Sequence, residues 1–131
     1  MPLTYSIYPN ARLLFIRGEG VITQAERVQT MRQWMNDPAY AQCESALCDF
    51  SAAQSTPTMA ELREVVAFMS REKLGWGPTR LGVVAAKPIT FGVANEFSEL
   101  VQKASLPLEI RVFTDADLAW SWLRPYDPPA G

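Results

Sequence analysis

The chain has no histidine. That removes the commonest general base and the commonest metal ligand together. Catalysis would then fall to carboxylates, Lys, Tyr, Cys or a cofactor. The expectation is a protein that is not an enzyme and that carries no cofactor and no metal. Cysteine is scarce as well. Cys43 and Cys48 are five apart, a spacing that matches no zinc or redox motif. Cys48 falls in a stretch that reads as a buried strand, where a thiol behaves as a small hydrophobe. Bridging the two would bend a strand interior and the loop before it together. No apolar run approaches about 18 residues, so no segment is expected to span a bilayer. Met1-Pro2-Leu3-Thr4-Tyr5 has neither the basic region nor the apolar run of a secretory signal, and the expected compartment is the cytoplasm. Charge of one sign is missing too. A net charge of -2 creates no field that would draw in a phosphate backbone, so nucleic acid is not an expected partner.

What is present is ordinary globular composition: 131 residues, 48% hydrophobic and 20% charged, enough for one domain with one core. The stretch that organises the rest is Ser45-Ala46-Leu47-Cys48-Asp49-Phe50-Ser51. It reads as a short buried strand ending in an acid, followed by a polar turn and an amphipathic helix. Asp49 then lies at the carboxyl end of a central strand, where open strand-helix sheets place their working residues.

Upstream, Leu3 to Tyr8 is expected as a first strand, ended by Pro9-Asn10, and Ala11 to Arg17 as a second, the two forming an antiparallel hairpin. Gly18 and Gly20 loosen its end. Thr23 and Glu26 have capping-box spacing, and Ala25, Val28, Met31 and Met35 recur with helical period until Asn36-Asp37-Pro38 stops the helix. After the central strand, either Thr58 caps the next helix with Glu61 three residues on, or Thr56 caps it with Pro57 as the first helical residue. Met59, Leu62, Val65, Val66 and Met69 make its inward stripe. At about 100° per residue Phe68 falls outside that stripe, on the side of Glu61, Glu64 and Glu72.

Leu74-Gly75-Trp76-Gly77-Pro78 reads as a loop carrying one aromatic. Arg80 to Ala86 is a continuous apolar run suited to a strand buried on both faces. A third helix follows Lys87-Pro88-Ile89-Thr90, with Val93, Phe97, Leu100, Val101 and Ala104 inward and Phe91 off the stripe. Leu108 to Phe113 is the last strand. Thr114 and Asp117 can cap a final helix holding Ala119, Trp120, Trp122 and Leu123. The expected fold class is α/β, a single domain over residues 1–124 with a tail at 125–131. Its sheet is mixed, mostly parallel, of about five strands with about four helices, the first strand forming the antiparallel edge.

This order resembles the STAS domains, and more closely their SpoIIAA-like branch of small stand-alone bacterial proteins. Leu47-Cys48-Asp49-Phe50-Ser51, Val83-Val84-Ala85-Ala86 with Phe91-Gly92-Val93-Ala94, and Val112-Phe113-Thr114-Asp115 with Ala119 and Trp122-Leu123 carry the resemblance. It spans roughly residues 3 to 124. It implies a regulatory or binding module, since STAS domains bind lipids, nucleotides and proteins. Antagonist members carry a phosphorylatable Ser in an Asp-Ser-Ser-Gly-like turn. The matching place here is Pro57-Thr58-Met59, where the Asp and Gly are absent and hydroxyls remain on Ser55, Thr56 and Thr58. Phosphate at a helix N-terminus is physically reasonable, and so is the plainer reading of Thr58 as a cap.

Three functional expectations follow. The first is a module for a small apolar ligand, a lipid or peripheral membrane surface, or a partner protein, using Asp49, Ser51 and the aromatics Phe68, Trp76 and Phe91 that lie outside the stripes. The second is a phosphorylation-controlled interaction switch at Ser55, Thr56 and Thr58. The third is a homodimer, formed by the open edge of the first strand with Phe68 as a symmetric contact. A weaker alternative is an enzyme with Asp49 in an acid-base role beside Ser51 and the hydroxyl turn, and the plain reading of Asp49 is an acid that accepts backbone N–H bonds and orders its own turn.

Overall fold

The structure is a computed structural model that describes residues 2–72 and 77–123. A hairpin begins it. Strand β1 (Leu3–Tyr8) runs antiparallel to β2 (Leu13–Gly20), with Tyr5 opposite Ile16. Pro9–Ala11 forms a single 3₁₀ turn, and Arg12 follows it in the left-handed region at φ 49°. That turn is why β2 starts two residues later than the expected Ala11, and β2 then runs on through the two glycines. Three strand-helix repeats follow: α1 (Gln24–Met35), β3 (Ser45–Ala53), α2 (Met59–Arg71), β4 (Arg80–Val84), α3 (Pro88–Lys103) and β5 (Glu109–Phe113), with α4 (Ala116–Leu123) last. The five strands lie in chain order, β2 to β5 all parallel, with β3 in the centre. The expected mixed sheet, its antiparallel edge and its four helices are all present among the described residues.

Local chemistry explains the helix starts. Thr23 Oγ1 accepts the Glu26 N–H at 3.2 Å, while the Glu26 carboxylate turns away to accept the Leu3 N–H at 3.0 Å, tying β1 to α1. At α2 the capping box is complete: Thr58 Oγ1 accepts the Glu61 N–H at 3.1 Å, and Glu61 Oε1 accepts the Thr58 N–H at 2.9 Å. Thr58, not Thr56, is therefore the cap. Pro88 occupies the first turn of α3, where its missing N–H costs nothing. At α4 the side-chain acceptor is Asp115, which takes the Asp117 N–H at 2.6 Å, in place of the expected Thr114 or Asp117.

The sheet has two unequal faces. Leu14 and Ile16 of β2, Ala46 and Cys48 of β3, and Leu81 and Val83 of β4 face the layer of α1, α2 and α3. The alternate positions Leu13, Leu47 and Val84 face α4, where Ala119 and Leu123 cover them. Gly82 lets α4 come close, since a Cβ there would lie 3.2 Å from Leu123 Cδ1. Arg80 holds the end of α4, donating to the Trp122 carbonyl at 2.8 Å with its guanidinium 4.2 Å from the indole centroid.

Helical period misplaced some side chains. Phe68 is 3% exposed, packed among Met31, Val65 and Met69. A single stripe assumes one covering surface, but α2 is flanked by α1 and α3 as well as the sheet, so its buried arc is wider. The Arg32 guanidinium lies 5.4 Å from the Phe68 ring centroid, closing that seam from α1. Phe68 is thus not available as a surface or dimer contact. Phe91 is half-buried and packs against the main core. On α1, Thr30 is buried where Ala25 is exposed, and Ala104, expected inward on α3, lies just past its end and is exposed. Trp120 of the last helix is 47% exposed. Trp76 and the tail lie outside the described residues.

Candidate functional site

The middle strand carries the smallest inward side chains. On the helix-facing side β3 presents Ala46 and Cys48, while its neighbours present Leu14 and Ile16 on one side and Leu81 and Val83 on the other. Ala94 on α3 is small as well. Side chains this short do not reach across to α2, and a cavity of about 180 Å³ lies between the sheet and α1–α3. Met31, Trp34, Leu62, Val65, Met69 and Phe97 form its helical wall.

Few polar groups face this space. Cys48 lies in its wall, and burial, with the neighbouring Asp49 charge, pushes its thiol up to about 12. Tyr40 is also pushed up to about 12, by burial first. Neither ionises near neutral pH. Both cysteines are free thiols. The remaining polar groups, Arg27, Ser55, Thr56 and Thr90, come from α1, the β3–α2 loop and the start of α3. These lie towards the carboxyl ends of the parallel strands, the edge where sheets of this kind bind ligands.

Asp49 and Ser51 are elsewhere. Strand alternation puts Asp49 on the α4 side with Leu47. A bulge follows: Arg17 pairs with Asp49 but Glu19 pairs with Ala52, so β3 carries an extra residue there. Asp49 Oδ1 accepts both the N–H of Ser51, at 3.0 Å, and its hydroxyl, at 2.5 Å. The acid orders the bulge, which shifts the strand's phase and returns Ala53 to the helix-facing core. This is the plain role allowed for Asp49 from the sequence.

The three hydroxyls divide. Ser55 Oγ accepts the Ile22 N–H at 2.9 Å and pins the β3–α2 loop to the β2–α1 loop. Thr56 lines the cavity beside it. Thr58 is engaged in the capping box. Of the residues singled out from sequence that the structure describes, Ser55 and Thr56 border the cavity. Asp49, Ser51, Phe68 and Phe91 do not.

Two features were missed. Arg27, Met31 and Trp34 share one row of α1, at i, i+4 and i+7, and all three line the cavity. A cation on the inward row was the available signal. So was the placement of Ala46 and Cys48 on one face of the central strand. The same edge of the sheet also carries Val21 at 63% exposure, Met59 at 37% and Ile89 at 68%. They stand before or at the starts of α1, α2 and α3. Among the described residues no cluster of three or more acidic or thiol groups is arranged to hold a metal, and no helix is long and apolar enough to cross a membrane.

No family model and no curated protein matches this sequence. Among solved structures, the chain is similar to an uncharacterized protein of the DUF3478 family from Shewanella loihica PV-4, described as having a SpoIIAA-like fold. The two are 15% identical, the match covers 92% of this chain and 91% of that one, and the TM-score is 0.60. At that identity the likeness is one of fold. This chain has the SpoIIAA-like fold that its order of strands and helices resembled.

Proposed function

We infer that this chain is a non-catalytic binding module that takes a small apolar molecule between its sheet and the α1–α3 layer. The cavity carries this reading. Protein interiors seldom leave voids larger than a water molecule. At about 24 cal/mol per Å³, an apolar space of about 180 Å³ left unfilled costs at most about 4 kcal/mol, and less because this one is partly open to solvent. An occupant recovers that contact energy. Engineered apolar cavities of about 150 Å³ take up benzene, so the space suits a single-ring or short branched molecule.

The phosphorylation switch has less support, because Ser55 and Thr58 are already bound to backbone groups. An acid-base role for Asp49 has less support for the same reason, since Ser51 holds the same carboxylate oxygen twice. Native mass spectrometry of freshly purified protein tests the main reading. A small adduct is expected, and Ala94→Leu, which adds three carbons to the cavity wall, should abolish it. No adduct, together with unchanged methyl resonances in saturating toluene, sinks the proposal.

A second reading, contact with a membrane surface, is favoured by Val21, Met59 and Ile89, exposed apolar side chains on the edge where the cavity's polar groups lie. Flotation with phosphatidylcholine–phosphatidylglycerol vesicles tests it. The native protein should float, and the triple Ser variant at these positions should not; a native protein left in the dense fraction rules it out.

A further inference from the structure

We propose that the cavity selects a ligand ending in a carboxylate, and that Arg27 is the group that receives it. This rests on the apolar-ligand reading and names its chemistry. The Arg27 guanidinium is a planar fork of five N–H donors. One nitrogen, Nη1, donates to Gln24 Oε1 at 2.5 Å, and Nη2 reaches the Ile22 carbonyl at 3.5 Å. Both acceptors are uncharged. The ion pairs among the described residues are Arg12–Glu44, Arg17–Glu19 and Arg80–Glu109, and none includes Arg27.

A half-buried cation without a paired anion is unfavourable. Burial lowers the Arg27 pKa below the usual arginine range, and the charges of Glu61 and Glu26 oppose that only in part. Those two acids are held by other groups: Glu26 by the Leu3 N–H and Glu61 by the Thr58 N–H. The wall of this mostly apolar cavity therefore carries one fork donor with unused N–H groups.

The same two acids decide the charge of the occupant. Their charges oppose any anion beside Arg27, and they oppose a dianionic phosphate more strongly than a monoanionic carboxylate. A carboxylate also matches two parallel N–H bonds of the fork. With about 180 Å³ for the body, the class is an aromatic or short branched aliphatic carboxylic acid, its ring or chain against Ala46, Cys48 and Val83.

Calorimetric titration with phenylacetate and phenethyl alcohol, two probes with the same ring and different ends, tests this. The native protein should bind the acid about tenfold more tightly than the alcohol, the size of one charge-assisted hydrogen bond. Arg27→Gln should remove that preference by weakening the acid alone. Arg27→Lys keeps the charge and loses the fork, so it should keep part of the preference. The native pair and the lysine variant decide the matter even where the glutamine variant does not fold. Alcohol binding with no preference for the acid, or a preference that survives in Arg27→Gln, overturns the role of Arg27 and leaves the cavity reading standing. Failure of both probes to bind overturns both.

Discussion

Phe50 lies against Gly18 so closely that a Cβ at Gly18 would stand 2.6 Å from a Phe50 ring carbon and 2.7 Å from Ile22 Cδ1. Gly18 is a β2 position on the helix-facing side, and both of its neighbours line the cavity. The glycine is needed there for space. Gly18→Ala should lower stability by about 1–3 kcal/mol, the usual cost of overpacking, and displace Phe50. Urea denaturation with intrinsic fluorescence measures the loss. An unchanged midpoint would mean that Phe50 swings away freely.

Alkaline pH should unfold this protein through two groups. The thiol of Cys48 moves from its ordinary 9.0 to about 12, and the phenol of Tyr40 from 10.0 to about 12, both chiefly by burial. Both folded-state values are raised, so the unfolded chain releases these protons first. The stability they contribute is complete below about pH 9 and is lost as pH rises from there towards 12. Cys48 removes about 1.4 kcal/mol per pH unit from about pH 9 and Tyr40 the same from about pH 10, each up to about 12. Thermal melts from pH 8 upward should show Tm falling above pH 9, and Cys48→Ala should flatten the first part of the fall.

The thiols supply a second check. Cys48 and Cys43 are buried, and burial raises both pKa values. Since the thiolate is the reacting species, neither should react with Ellman's reagent at pH 8 faster than the protein opens. Rapid labelling of one equivalent in native buffer would contradict the burial of that cysteine.

Thr58→Ala should cost about 1 kcal/mol, because it removes the acceptor for the Glu61 N–H and half of a capping box. Thr58→Asp supplies another good cap and should leave stability within about 0.5 kcal/mol of native. Chemical denaturation of both variants checks this. Equal losses would mean that the hydroxyl has a role other than capping.

Ser45 is fully buried, and its hydroxyl has no hydrogen-bond partner among the described residues. Removing an unpaired buried polar atom relieves its desolvation penalty, so Ser45→Ala should raise stability by about 1 kcal/mol. A loss of stability in the same denaturation assay would show that the hydroxyl is bonded in solution.

The elements were legible because their signals are local. Thr23 and Thr58 sit before apolar periods, Pro38 and Pro57 bound helices, and the run at Arg80–Val84 is too apolar for an exposed strand. Phe68 was misread because the period of one helix carries no record of how many neighbours flank it. Asp49 was given two readings from sequence, and the bulge separating the Arg17–Asp49 and Glu19–Ala52 pairs favours the structural one.

The amino-acid order by itself determined the strand and helix succession, the antiparallel edge and the cap at Thr23, since each depends on residues within a few positions of one another. Only the tertiary structure decided that Ala46 and Cys48 leave a cavity, that Arg27 lies at its wall without an ion pair among the described residues, and that Phe68 closes a seam between helices. Those facts depend on side chains brought together from distant parts of the chain. Volume and charge balance at such meeting points are properties of the packed layers and of no single segment.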